Sequence, residues 1–457
     1  MKFFNRTDEK SMLTRALASK TGSFCCLYGR RRCGKSRLLL EVLQRKRSVF
    51  HVADQMEPTL QRHRLASDVA AVIPGFDRVA YPDWSSLLDR WSAEAPPGTC
   101  LALDEFPYMV EQSPEIPSIL QRVVDRMGRR RLHLIICGSS QRMMQNFVLD
   151  SSAPLYGRAR EILKIAPLSF GWIAKAFPND SPYESLERFS IFGGVPRYWE
   201  LAADFSSLDN AVANLILSPQ GVLHSEPRHL LMDDLSDVAQ ASSILALIGQ
   251  GCHRLSEIAA RLEKPATSLT RPLGRLLELD LIIREIPFGA DERNSKKSLY
   301  RLADPFMGFW FRFVQPNRSQ LDTAPVSVTQ RNIHATFSQH VAEVFEFLAR
   351  RSVPHLTFAG QRWGAGRRWW GNGLDGKPME IDVVSESSDG TALLVGEVKV
   401  SASASEIKRI LAELKEKISL LPCGSKYQKI ETAVFSALPQ ISVYPVIMPE
   451  VMLKAML

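Results

Sequence analysis

Residues 29–36 read Gly-Arg-Arg-Arg-Cys-Gly-Lys-Ser, the spacing GxxxxGK[ST]. A short apolar run, 23–28 (SFCCLY), precedes them, and 35–46 (KSRLLLEVLQRK) has helical periodicity. Few loops tolerate this arrangement. Two glycines let backbone N–H groups wrap an anion, and the following helix start adds partial positive charge. The pattern predicts a phosphate loop between a buried strand and a helix, and so an α/β domain with a parallel sheet. Nucleotide contacts are expected from Gly29, Arg32, Cys33, Gly34, Lys35, Ser36 and Arg37. Lys35 is expected to reach the outer phosphates of ATP, and Ser36 to ligate Mg2+.

Further apolar runs at 48–53, 99–103 and 132–137 alternate with helical stretches. The second ends in Asp104-Glu105, a pair of carboxylates at a strand tip. Asp104 is expected to hold Mg2+ through water, and Glu105 to polarise the attacking water. The third ends in Cys-Gly-Ser139-Ser140. Ser139 reads either as a γ-phosphate sensor or as turn chemistry. Arg158, in APLYGRAR, reads either as a residue stabilising transition-state charge, in cis or from a neighbouring copy, or as a solvated arginine. Gly193-Gly194-Val195-Pro196 reads as a helix stop.

Residues 23–200 resemble the prokaryotic ATPases called archaeal-type AAA ATPases, close to the signalling NTPases with numerous domains. The carrying residues are GRRRCGKS, LDEFPY, CGSS, APLYGR and GGVPRYW. The resemblance implies a helical lid, with Pro196 against adenine, then a winged helix and a C-terminal domain. It covers nearly the whole chain, since YRLADPFMGFWFRFV and the residues after it also match.

Downstream, residues 242–302 offer three helices, the strand-like IIREIPF, a polar loop and SLYRLA, a winged helix-turn-helix pattern. The third helix, 267–279, carries Arg271, Arg275 and Glu278, with Thr267 and Ser268 as N-cap residues. The aromatic stripe 309–313 reads as core, 315–331 as a polar linker and 336–350 as a helix. Near the C-terminus, Asp382 lies on one predicted strand and Glu397-Val-Lys399 on the next. Positions i and i+2 of a strand share a face, so Glu397 and Lys399 point the same way, and a hairpin would bring Asp382 to them. Two oxygen ligands for Mg2+ plus a lysine suit phosphodiester hydrolysis. This resembles the PD-(D/E)xK nucleases, although Glu380-Ile381 stands where a proline is usual. The resemblance implies a further carboxylate from the preceding helix, for which Glu346 is the choice. Beside it, residues 361–370 (QRWGAGRRWW) mix arginines with indoles, a pairing that suits phosphates and bases. The run Arg129–Arg131 reads as a solvated face.

The expected organisation is a P-loop ATPase domain (1–165), a helical lid (166–238), a winged helix (239–303) and an α/β nuclease-like domain (304–457). The 57 Lys+Arg against 49 Asp+Glu leave a net +8, which favours a polyanion such as DNA. Part of that excess belongs to the phosphate loop itself. Seven cysteines with no CxxC spacing fit reduced thiols in a cytoplasm, and no metal-binding His/Cys spacing occurs. No membrane span and no N-terminal leader are expected. The features together suggest an ATPase acting on DNA, whose nucleotide state gates a metal-dependent nuclease-like domain. The alternative is a nucleotide-controlled signalling or oligomerisation switch, a homo-oligomer whose C-terminal domain binds protein or nucleic acid without catalysis.

Overall fold

A computed structural model describes residues 3–235, 237–291, 297–438 and 446–457. The chain divides into two compact units: 2–167 with 232–236, and 168–231 with 237–457.

The first unit is built on β1 (Ser23–Tyr28), β2 (Ser48–Val52), β3 (Cys100–Asp104), β4 (His133–Gly138) and β5 (Glu161–Lys164). Their order is β2-β3-β4-β1-β5, and every pairing is parallel. Parallel strands need crossovers, and the helices that supply them cover both faces. Hence β3 and β4 are buried at every residue, while the edge strand β5 alternates buried and exposed. Among the largest buried side chains are Trp84, Trp91 and Phe106, packed with Leu101, Leu103 and Leu134. Because β4 lies between β1 and β3, the phosphate loop, the Asp104-Glu105 tip and Ser139 all follow the carboxyl ends of adjacent strands, where open α/β sheets place their ligands.

In the second unit the helices Pro182–Phe192 and Pro196–Ala202 join the C-terminal part in one body. His340 bonds through Nε2 to the Ser190 carbonyl at 2.8 Å, and the Trp310 indole donates to the His224 carbonyl at 2.8 Å. Tyr198 packs against Phe306, ring centres 4.7 Å apart. The aromatic stripe is core as expected: Phe309, Trp310, Phe311 and Phe313 are buried. The glycine pair is a close-packing device. A Cβ on Gly194 would lie 2.0 Å from the Leu168 carbonyl oxygen, and Gly193 has φ +58° with its Cβ direction 2.3 Å from Asp304 Oδ1.

Helices Val238–Gly249, Leu255–Arg261 and Ala266–Glu278 lead to an antiparallel pair, β6 (Ile282–Glu285) and β7 (Leu299–Leu302). The third helix begins after Pro265, one residue earlier than expected, and the Ser268 hydroxyl donates to the Pro265 carbonyl instead of capping. The segment expected as a linker, 315–331, is largely helical. After Arg318–Thr323 and a break at Pro325, one helix runs from Val326 to Ser352. Thr329 and Ile333 are buried on it, so tertiary packing recruits a segment that composition marks as polar. A short pair, β8 (Thr357–Phe358) and β9 (Gln361–Arg362), precedes a second sheet. That sheet contains β10 (Arg367–Asn372), β11 (Pro378–Glu386), β12 (Ala392–Lys399), β13 (Lys429–Ser436) and β14 (Val446–Ile447), in sequential order. The pairings run antiparallel, antiparallel, parallel, parallel. The helix Ala404–Leu420, opened by a Ser403/Glu406 capping box, supplies the β12-to-β13 crossover and buries Ile407, Ile410 and Leu414 against Leu393, Val395 and Val434.

Candidate functional site: a phosphate loop and a carboxylate strand

In the first unit the loop between β1 and the helix Lys35–Leu43 bends through three residues with positive φ. Gly29 (φ +138°) lies so close to the Ile165 carbonyl oxygen that a Cβ would sit 2.4 Å from it. Arg32 has φ +65°, and Gly34 has φ +89° with open space where a side chain would project. The Lys35 side chain folds back, its Nζ donating to the Gly29 carbonyl at 2.7 Å and the Arg30 carbonyl at 3.0 Å. A buried ammonium whose hydrogen-bond partners are loop carbonyls fits a polyphosphate anion. Ser36 and Arg37 are exposed on the first turn, with the Arg37 guanidinium 5.8 Å from the centre of the Phe3 ring. Cys33 is buried, and its carbonyl accepts from Arg6 Nη2 at 3.2 Å. Arg6 also reaches the Ala166 carbonyl, bracing the loop against the segment after β5. Its sequence surroundings, NRTDEK, show only charge, and no motif marks it.

Asp104 ends β3 almost fully buried, and its Oδ1 accepts from the Glu105 N–H at 3.0 Å. Burial and then the Asp104 charge push the neighbouring Cys137 thiol well above its ordinary range. Glu105 sits at φ +50°, a left-handed conformation that costs a non-glycine residue and clusters at functional sites. Its Oε2 accepts from the Ser139 hydroxyl at 2.8 Å and from the Ser139 N–H at 3.3 Å. Ser139 is thus a partner of Glu105. The residues suit Mg-ATP: ATP bound here with Mg2+ would present a γ-phosphate for hydrolysis. The chain's own groups supply a cation (Lys35), a hydroxyl (Ser36), a buried carboxylate (Asp104) and a second carboxylate oriented by a serine (Glu105).

Two aspartates that sequence reading passed over also stand here. Arg31 Nη1 pairs with Asp233 Oδ2 at 3.1 Å, while Asp234 Oδ1 accepts from the Ser140 hydroxyl at 3.0 Å and the Arg142 N–H at 3.1 Å. Burial raises the Asp233 pKa, with Arg31 opposing. These aspartates end the helix Glu226–Asp234, far along the chain, and nothing local announces their role. Arg158 differs from the expectation of a charge-stabilising residue in cis. It is held by Asp125, Nε to Oδ1 at 2.8 Å and Nη2 to Oδ2 at 3.2 Å, because its loop packs beside the helix Ile116–Met127. Pro196 opens the helix Pro196–Ala202 in the second unit.

The second candidate site lies on β11 and β12, which pair antiparallel. Asp382 Oδ2 accepts from the Val398 N–H at 2.9 Å, and Lys399 Nζ donates to Glu397 Oε1 at 3.0 Å. Burial, then Glu397 and Glu346, raise the Asp382 pKa to about 6. Asp382, Glu397 and Lys399 therefore come together. Glu346, the third expected Mg2+ ligand, stands near enough for its charge to act on Asp382, but the three carboxylates do not converge as a ligand set. Both Glu397 oxygens are engaged, by Lys399 and by Lys417 at 3.3 Å, and Glu346 leans toward Arg350 at 3.8 Å. No group of three or more His, Cys, Asp or Glu converges as a metal site among the described residues. The expectation of stacking indoles is corrected too: Trp363 and Trp369 are buried, Trp369 in the core beneath β10, and only Trp370 is partly open. Alternation along β10 turns neighbouring rings to opposite faces.

All seven cysteines are free thiols. No helix among the described residues is long and apolar enough to cross a membrane.

Residues 310–410 match a family described as archaeal and bacterial proteins of unknown function. Over 429 residues the chain is 29% identical to the uncharacterized protein MJECL04 of Methanocaldococcus jannaschii, covering 92% of each. The Walker-type ATPase paby2304 of Pyrococcus abyssi superposes with a TM-score of 0.52 at 20% identity, over 68% of this chain and 96% of that one, a likeness of fold. Residues 3–199, which carry the loop, the carboxylate pair and the parallel sheet, match a family described as an ATPase domain predominantly from Archaea.

Proposed function

We propose that the protein binds and hydrolyses Mg-ATP and couples the nucleotide state to an action on DNA through its C-terminal part. The observation that carries the catalytic half is the Glu105–Ser139 pair beside the folded-back Lys35: a carboxylate held by a serine at 2.8 Å, next to an anion-ready loop. In this reading Lys35 and the loop N–H groups bind the β- and γ-phosphates, and Ser36 and Asp104 hold the metal. Glu105 polarises water, Pro196 contacts adenine, and Arg158 serves a neighbouring copy in a homo-oligomer. The three helices with β6 and β7 act as a winged helix that relays nucleotide state. The test measures ATP turnover and DNA affinity in the wild type and in Lys35→Ala. Loss of turnover with a changed DNA affinity is expected. Unchanged DNA affinity with and without ATP would remove the coupling.

For the C-terminal domain, the engagement of Glu397 by two lysines supports a nucleic-acid-binding role for its nuclease-like sheet. Metal-dependent cleavage is a second reading. It is favoured by the raised pKa of Asp382, since a divalent cation would relieve the mutual repulsion of Asp382, Glu397 and Glu346. Duplex, single-stranded and branched DNA incubated with Mg2+ or Mn2+ separate the two. Cleavage abolished by Asp382→Ala and Lys399→Ala supports catalysis, and cleavage that survives both removes this site.

A further inference from the structure

Three separate stretches of the second unit wall a cleft of about 440 Å3: residues 283–286 of β6 and its end, 347–351 of the long helix, and 366–368 entering β10. Its charged lining is Arg284, Arg350, Arg351, Arg367, Arg368 and Glu285. The walls are tied together. The Phe288 N–H donates to the Arg368 carbonyl at 2.9 Å, and Arg350 Nη1 donates to the Asp382 carbonyl at 3.2 Å. Gly366 lies so near the helix that a Cβ would sit 2.5 Å from the Arg350 carbonyl oxygen.

Among the described residues, five guanidinium groups line this concavity together with one carboxylate, Glu285. That carboxylate is already divided, Glu285 pairing with Arg350 at 3.4 Å and with Arg301 at 3.2 Å. Outside the lining, Glu346 and Glu380 approach Arg350 and Arg368. The described lining still carries more positive than negative charge. Burial lowers the pKa of Arg350, with Arg301 and Arg368 adding to the effect and Glu285 opposing it. Holding cations together at partial dehydration is costly unless an anion joins them. Guanidinium forks match phosphate oxygens in bidentate geometry.

The geometry points to this cleft as a binding site for a backbone phosphate of a nucleic-acid strand that runs along β10. A strand suits the site better than a lone anion, because basic and aromatic groups continue beyond the cleft. Arg368 lies 5.9 Å from the centre of the partly open Trp370 ring, and Lys297 Nζ stands beside Gly371, 3.3 Å from where a Cβ would be. The site rests on the reading that the C-terminal part acts on nucleic acid, and it names the residues that would do so. It shares no lining residue with Asp382, Glu397 and Lys399, although Arg350 bonds to the Asp382 carbonyl, and those three need not be catalytic for it to work.

The test uses the full chain and a short fluorescein-labelled DNA duplex, titrated over a range of salt concentrations. Arg351 and Arg284 are both exposed, and neither belongs to the ATPase machinery. Arg351→Ala and Arg284→Gln are each expected to weaken binding by about three- to tenfold and to reduce the salt slope by about one, leaving DNA-free ATP turnover and the unfolding midpoint unchanged. Arg351→Lys, which keeps the charge, retains the slope. If the wild type binds the duplex and both variants match it in affinity and slope, the cleft is overturned while DNA binding stands. If the wild type binds no duplex, the DNA reading fails and takes the cleft with it. If pyrophosphate binds in an arginine-dependent way while the duplex does not, the occupant is a small anion and the proposal is overturned.

Discussion

Replacing Ser139 by alanine removes one of the two hydrogen bonds that orient Glu105, the hydroxyl contact of 2.8 Å, and leaves the 3.3 Å contact from the backbone N–H. A hydrogen bond to a charged group contributes about 1.5–3 kcal/mol. If the loss falls on the positioning of Glu105 for water attack, it converts to a drop of about ten- to a hundredfold in kcat. Nucleotide affinity should stay within about twofold, because Lys35 and the loop amides are untouched. Phosphate release under saturating ATP gives kcat, and titration with a fluorescent ATP analogue gives affinity. Ser139→Thr keeps the hydroxyl and should keep most of the rate. A kcat within about twofold of wild type at unchanged affinity would refute a positioning role. A fall in affinity at constant kcat would show that Ser139 serves the phosphate and not Glu105.

Four further outcomes are expected. Asp233→Asn removes a negative charge that competes for Arg31 at 3.1 Å, so ATP affinity should rise by about three- to tenfold, an effect that shrinks with added salt and is read by the same titration. Gly194→Ala forces a Cβ against the Leu168 carbonyl, a backbone atom that cannot move aside, and should cost about 2–4 kcal/mol in denaturant unfolding. Gly274→Ala, in a helix with open space around it, should instead stabilise by about 0.5–1 kcal/mol. His340 is buried and its pKa is lowered to about 4, burial being the chief cause. A histidine depressed in the folded state contributes stability that is present above pH 6.5 and is lost as pH falls toward 4. Unfolding midpoints across that window should drop by the equivalent of roughly 3 kcal/mol for this group, and His340→Asn should flatten the pH dependence.

Some of these positions could be read in advance and others could not. The phosphate loop was legible because its chemistry is local. Eight consecutive residues set the turn, the glycines and the lysine, and the flanking apolar run and periodic helix confirm the context. Asp104 and Glu105 were legible for the same reason, as a strand end with two carboxylates. The strands carrying Asp382, Glu397 and Lys399 were legible from their short apolar runs, and their antiparallel pairing brings the three together.

The amino-acid sequence alone determined the strands and helices around the phosphate loop and where a triphosphate can be wrapped, because those properties depend on neighbours within a few residues. Tertiary structure decided the partners. It placed Ser139 on Glu105, brought Asp233 and Asp234 back to Arg31 and Ser140, and gave Arg158 to Asp125. It buried two of the three tryptophans that composition alone offers to bases, and turned a polar linker into the start of a 27-residue helix. It tied Glu397 to Lys417, twenty positions away, dividing a carboxylate that a short motif assigns to metal. It also gathered arginines from three distant segments into one cleft. Burial and charge pairing are set by what packs across the chain, and no local pattern of residues records them.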